Sequence, residues 1–168
     1  SKKLYNFHFS LLPKYRGCHT NYLQIKNGES HSGVTCHKID NGIDTGEIID
    51  CIKYSIKLND TSMDNYFKLM SRAFELFKKQ FYNLCNETYI SKKQDEKNAS
   101  YFSRAYVDYK NENIDFNSNL NEIHNQIRAL IFPPYQLPEV NGKKIIKSKL
   151  FDGHIILTDI NHNEQIYK

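Results

Sequence analysis

Apolar positions change their period several times along this chain, and each change marks an element. Residues 4–9 form a short apolar run that reads as the end of a buried strand. Leu11-Leu12-Pro13 then leads into a turn around Arg16-Gly17. Over 18–27, Tyr22, Leu23 and Ile25 fit a short helix that Gly28 is well placed to end. Residues 32–39 carry β-branched Val34, Thr35 and Ile39 and predict a strand, followed by a turn at Asp40-Asn41-Gly42. Residues 47–58 alternate, with Ile52, Tyr54, Ile56 and Leu58 on one face, and predict a second strand. The loop between these strands is longer than a tight hairpin needs, and such a loop can carry chemistry.

The plainest helix is predicted over 62–85. Thr61-x-x-Asp64 has the form of a capping box, and Met63, Tyr66, Phe67, Met70, Ala73, Phe74, Phe77, Phe81 and Leu84 follow at helical spacing. That aromatic stripe is expected to be core. Residues 91–98 read as a charged loop. A second amphipathic helix is predicted over 119–131 through Leu120, Ile123, Ile127 and Leu130, stopped by Pro133-Pro134. The tail is β-rich (143–151, 154–160, 165–167), with turns at Asn141-Gly142 and Asp152-Gly153.

Composition narrows the class. With 168 residues, 39% hydrophobic and 13% aromatic, the chain has the size and content of a folded domain. A net charge of +4 without long basic runs suits anionic small ligands but is no nucleic-acid footprint. No apolar stretch approaches the ~20 residues of a membrane helix, and no signal peptide is visible, so a cytoplasmic setting without nucleic acid or membrane partners is expected. Cys18-His19 and Cys36-His37 are weak metal candidates, because neighbours on a strand point to opposite faces. Free thiols and no metal are expected.

The candidate chemistry is an amide, an imidazole and a carboxylate in the order Asn6, His8, Asp44. An amide can donate to a developing oxyanion, an imidazole can move a proton, and a carboxylate can orient or charge the imidazole. That set suits acyl transfer. Arg16 could grip a phosphate or carboxylate, and Tyr135, stiffened by two prolines, could stack on a base. The remaining histidines, His37 among them, show no convergent pattern and are expected in surface or packing roles.

Asn6-x-His8, Ser10-Leu11-Leu12-Pro13-x-Tyr15-Arg16-Gly17, Gly28-Glu29, Gly33-Val34-Thr35-x-His37 and Asp44-Thr45-Gly46, in this order, resemble the folate-dependent formyltransferase family. The stretch Ile127-Arg128-Ala129-Leu130-Ile131-Phe132-Pro133-Pro134-Tyr135 looks most like its nucleotide-sugar branch. The resemblance implies an α/β fold, a Rossmann-like core lacking its opening strands, with a small β-rich C-terminal appendage. It implies formyl transfer from N10-formyltetrahydrofolate to the amine of a nucleotide-linked amino sugar, such as a dTDP-4-amino-4,6-dideoxyhexose. Carried over by position, Asn6, His8 and Asp44 become catalytic. Asp40, Asn41, Gly42, Ile43 and Asp44 become the pterin-holding loop, and Ser10, Arg16 and Tyr135 face the substrate. Many members carry proline where this chain has Phe9. A catalytic core over 1–110, a substrate or dimer-contact region over 111–168, and a homodimer are expected. The alternatives are a methionyl-tRNA formyltransferase-like enzyme, disfavoured because the stretch 136–168 is too short for a tRNA-binding barrel, and a non-catalytic remnant acting only in association.

Overall fold

The computed structural model describes residues 3–168, as a mixed α/β chain that divides into two compact units. The first comprises the chain up to Thr20, His31–Ser55 and Phe67–Tyr106; the second comprises Asn21–Ser30, Ile56–Tyr66 and Val107–Lys168.

The first unit is built on a three-stranded antiparallel sheet in the order β1 (Tyr5–His8), β3 (His31–Lys38), β4 (Ile48–Ser55). The register sets Asn6 opposite His37 and His8 opposite Thr35, with an irregularity between Cys36 and His37. β3 is buried over six consecutive residues, so it is the central strand. A small parallel pair joins β2 (Arg16–Gly17) to β5 (Tyr101–Phe102). Two such short partners, far apart in sequence, carry no periodic signal.

Helix α2 (Ser62–Asn86) starts as its sequence foretells. Thr61 Oγ1 accepts from the Asp64 amide at 3.1 Å while Asp64 Oδ2 accepts from the Thr61 amide at 2.9 Å, a reciprocal cap. In the first unit Leu69 and Leu76 are buried with Val34 and Cys36, and truncating either leucine to alanine costs about 2–5 kcal/mol. The aromatic stripe is not core, contrary to expectation: Phe67, Met70, Phe74, Phe77 and Phe81 are all exposed. The sheet covers one stripe of the helix (Leu69, Leu76, Gln80), and the aromatic positions lie around the cylinder from it.

The second unit packs α3 (Leu120–Leu130) on a four-stranded antiparallel sheet. Its strands are β6 (Glu139–Val140), β7 (Lys143–Phe151), β8 (His154–Asp159) and β9 (Glu164–Tyr167). Asn119 caps α3 by accepting from the Glu122 amide at 3.0 Å. Ile123, Ile127 and Ile131 meet Val140, Ile145, Ile155 and Leu157 in one buried cluster. Helix α1 (Thr20–Lys26) is short and buries Tyr22, Leu23 and Ile25. The β-rich tail stands where the alternation placed it. Among the described residues no helix is long and apolar enough to cross a membrane.

Candidate active site

Strand alternation sets Asn6 and His8 on one face of β1, and their cross-strand partners His37 and Thr35 share it. Asp44 arrives from the loop between β3 and β4, in a left-handed backbone conformation with φ of +55° that aspartate tolerates better than most residues. Its carboxylate is the hub. Oδ1 accepts from Asn6 Nδ2 at 3.1 Å and lies 3.4 Å from His37 Nε2. Oδ2 accepts from the Gly17 amide at 2.8 Å and lies 3.4 Å from His8 Nδ1. The three residues singled out in the sequence therefore converge.

Hydrogen-bond chemistry fixes the rings. A carbonyl oxygen only accepts, so His8 Nε2 carries the proton it gives the Tyr15 carbonyl at 2.6 Å, and His37 Nδ1 carries the one it gives the Lys38 carbonyl at 2.8 Å. His37 Nε2 can then accept from Asn6 Nδ2, 3.3 Å away. Burial pushes the His8 pKa below its ordinary value, against the opposing pull of the Tyr15 carbonyl and the Asp44 charge. For Asp44 burial raises the carboxyl pKa, but the His37 ring beside Oδ1, the Gly17 amide donating to Oδ2 and the neighbouring His8 prevail and hold it at about 2. The site at neutral pH is a carboxylate beside a neutral His8.

Gly17 makes this geometry accessible. Its φ is +88°, and a Cβ there would overlap the Phe102 carbonyl. β2 can thus lie close to β5 while its amide faces Asp44. The loop is shaped by Asp40, whose Oδ1 accepts from the Gly42 amide at 3.1 Å and from Thr45 Oγ1 at 2.6 Å. The Thr45 bond foremost holds the Asp40 carboxyl below the usual range. Asn6, His37, Asp40, Gly42 and Asp44, with the apolar side chains of Ile39 and Ile43, line an open cleft of about 260 Å³. Two exposed isoleucines give the cleft an apolar wall beside its convergent polar groups.

The other expected site residues are placed differently. Asn41 is exposed on the same loop, outside the cleft lining. Ser10 is fully buried, donating to the Lys14 carbonyl at 2.6 Å and accepting at its own carbonyl from Thr35 Oγ1 at 2.7 Å. Arg16 is buried, its guanidinium bonded to Gln94 and Glu96. Neither side chain lines the cleft. Tyr135 belongs to the second unit, where its ring is 85% exposed and 6.0 Å from that of Phe132. His37, expected in a packing role, is buried within the cluster. Strand parity was the signal, since position 37 lies opposite Asn6 whenever 35 lies opposite His8. The described residues hold no group of three or more His, Cys, Asp or Glu able to bind a metal ion.

Residues 1–79 match the family described as formyl transferase. This stretch is a formyltransferase domain. The N-formyltransferase from Helicobacter canadensis, solved with folinic acid and dTDP-3-aminofucose, is 44% identical with a TM-score of 0.85. The match covers 98% of this chain and 66% of that one. The bifunctional polymyxin resistance protein ArnA of Wigglesworthia glossinidia brevipalpis is 38% identical over 151 residues, 87% of this chain and 22% of its own. A methionyl-tRNA formyltransferase of Macrococcus caseolyticus is 32% identical over 150 residues, 88% of this chain and 48% of its own. The chain therefore spans less than two thirds of each relative.

Proposed function

We propose that the protein transfers a formyl group from N10-formyltetrahydrofolate to the primary amine of a dTDP-linked amino sugar. The observation that carries this reading is the convergence of Asn6, His8 and His37 on the Asp44 carboxylate beside an open, partly apolar cleft. The likeness to an N-formyltransferase solved with folinic acid and dTDP-3-aminofucose supports both substrates and favours a 3-amino sugar.

The residues suit each step. The sugar amine attacks the formyl carbon, a new C–N bond forms, and charge gathers on the formyl oxygen. Both hydrogens of Asn6 Nδ2 are engaged at rest, and the longer bond, to His37 at 3.3 Å, is the one the oxyanion would displace. One such donor is worth about 3 kcal/mol. The amine's surplus proton goes to His8, whose unprotonated nitrogen is Nδ1, and Asp44 stabilises the resulting imidazolium. The C–N10 bond then breaks and N10 takes up a proton. The backbone of 40–44 and the two isoleucines would hold the pterin.

Incubating the complete protein with N10-formyltetrahydrofolate and dTDP-3-aminofucose, the 4-amino isomer or methionyl-tRNA tests this by mass spectrometry of each acceptor. One added formyl group on a sugar nucleotide is expected. Formylation of the tRNA alone, or of no acceptor, overturns the reading.

A further inference from the structure

Asp44 needs more support than its own side chain supplies. Its backbone lies in the left-handed region at φ of +55°, which persists only where the surroundings over-determine it. The Gly17 amide fixes the carboxylate but not the main chain. The main chain is held from the segment that the sequence reads as a charged loop. That segment is an ordered strap. Lys92 exchanges two backbone hydrogen bonds with Ile48, at 2.8 and 2.9 Å, on one side of the catalytic loop. Ser100 accepts the Arg16 amide at 2.8 Å and bonds the Tyr15 amide through its hydroxyl at 2.8 Å, further along.

Gln94 sits between these anchors. Its Nε2 donates to the carbonyl of Asp44 and to the carbonyl of Gly46, each at 2.8 Å. Its Oε1 accepts from Arg16 Nε at 3.1 Å and Nη2 at 2.8 Å. Two donors and two lone pairs are all the amide has, and every one is used. The opposite amide orientation would set Oε1 against two carbonyl oxygens and NH₂ against a cation. Buried, permanently charged Arg16 thus decides which end of Gln94 faces the loop, and Glu96 holds the guanidinium through Nη1 at 3.0 Å and Nη2 at 2.7 Å. Neighbouring residues of β2 therefore reach Asp44 by two routes, Gly17 to its carboxylate and Arg16 through Gln94 to its main chain.

We propose that Gln94 is a positioning residue, oriented by Arg16, that holds the backbone of Asp44 and Gly46 so that the carboxylate meets His8 and Asn6. The proposal rests on the reading of Asp44 as a catalytic group. Gln94 itself touches no reacting atom in this scheme.

Two substitutions in the complete protein separate positioning from mere scaffolding. Gln94→Glu keeps an oxygen for Arg16 and loses the donors to the loop; Gln94→Met loses both. Three quantities are read: kcat and KM for the sugar nucleotide, melting temperature, and amide hydrogen exchange over residues 42–46. For both variants kcat is expected to fall roughly 10–100-fold, with KM little changed and exchange over 42–46 accelerated. Gln94→Glu sets an oxygen against the two loop carbonyls, so some loss of melting temperature is expected in both variants, and exchange over 42–46 rather than overall stability reads the loop. Parent-like kcat in Gln94→Glu overturns the proposal, as does unchanged exchange, or a kcat loss confined to Gln94→Glu, which would mark a charge effect. Asp44→Asn is the control for the underlying reading. If it turns over like the parent, or the parent transfers no formyl group, that reading fails, and the exchange measurement alone decides whether Gln94 holds the loop.

Discussion

His8 Nδ1 lies 3.4 Å from Asp44 Oδ2, and the contact changes sign with the proton on the ring. Nε2 gives its hydrogen to the Tyr15 carbonyl, so a neutral His8 turns a lone pair toward a carboxylate. A protonated His8 turns an N–H toward it. Burial keeps the ring neutral at rest, while Asp44 rewards the protonated form, which is the balance a general base needs.

This coupling fixes the direction of a pH effect. In the complete protein kcat/KM is expected to fall on the acid side of a pKa below the ordinary histidine value of 6.5, as His8 protonates. Asp44→Asn removes the charge that favours the imidazolium, so the acid limb moves to still lower pH, with kcat reduced by about 10² or more. Rate profiles of the two proteins between pH 4 and 8 check this. A limb that stays in place or moves upward uncouples His8 from Asp44.

Tyr135 gives a prediction about ligand rather than fold. With its ring 85% exposed, Tyr135→Ala is expected to leave the melting temperature unchanged. Loss of a stacked base should weaken the sugar nucleotide by about 1–3 kcal/mol and spare folate affinity. Calorimetric titration with each ligand reads both. Equal losses for the two ligands, or a loss of stability, would point to packing instead.

The buried His124 ties stability to pH. Nε2 donates to the Leu58 carbonyl at 3.0 Å, and in the neutral ring Nδ1 accepts from Ser148 Oγ at 2.8 Å. Burial, assisted by the Arg128 charge, pushes its pKa down to about 4 from 6.5. Between those values the unfolded chain binds a proton that the folded chain does not. Stability therefore falls as pH drops from about 6.5 to about 4 and levels off below, by a total of about 3 kcal/mol. His124→Gln should flatten that part of the profile, and melting curves at half-unit pH steps will show whether it does.

Gly46 has no room for a side chain, since a Cβ would overlap the Lys38 carbonyl oxygen. Gly46→Ala is expected to cost about 1–3 kcal/mol and, by shifting the loop that carries Asp44, to lower kcat as well. Gly142, with nothing near its Cβ position, is the comparison: Gly142→Ala meets only the strain of its φ of +72° and should leave kcat alone.

What the sequence revealed follows the range of the interactions involved. The longer strands, the Thr61–Asp64 cap and the α3 stripe are local, and nearby residues state them; the two-residue strands β2, β5 and β6 left no such trace. The trio Asn6, His8 and Asp44 was legible because motif order carried it. His37 was hidden because one lone histidine on a strand says nothing until its partner strand is aligned. Gln94 was hidden further, since its four bonds reach β2 and the Asp44 loop across dozens of residues. The aromatic stripe of α2 misled for a related reason: helical spacing names a face but not what lies against it.

The exposed stripe of α2 also separates two kinds of constraint along one helix. Leu69 and Leu76 answer to folding, so their tolerance of substitution is set by the cavity each change leaves. Met70, Phe74 and Phe81 already meet solvent, and polar replacements there leave the stability of this unit nearly untouched. Saturation mutagenesis scored first for folding and then for growth would therefore split the helix lengthwise. Intolerance along the leucine stripe would record the fold, and any intolerance along the aromatic one would record an encounter.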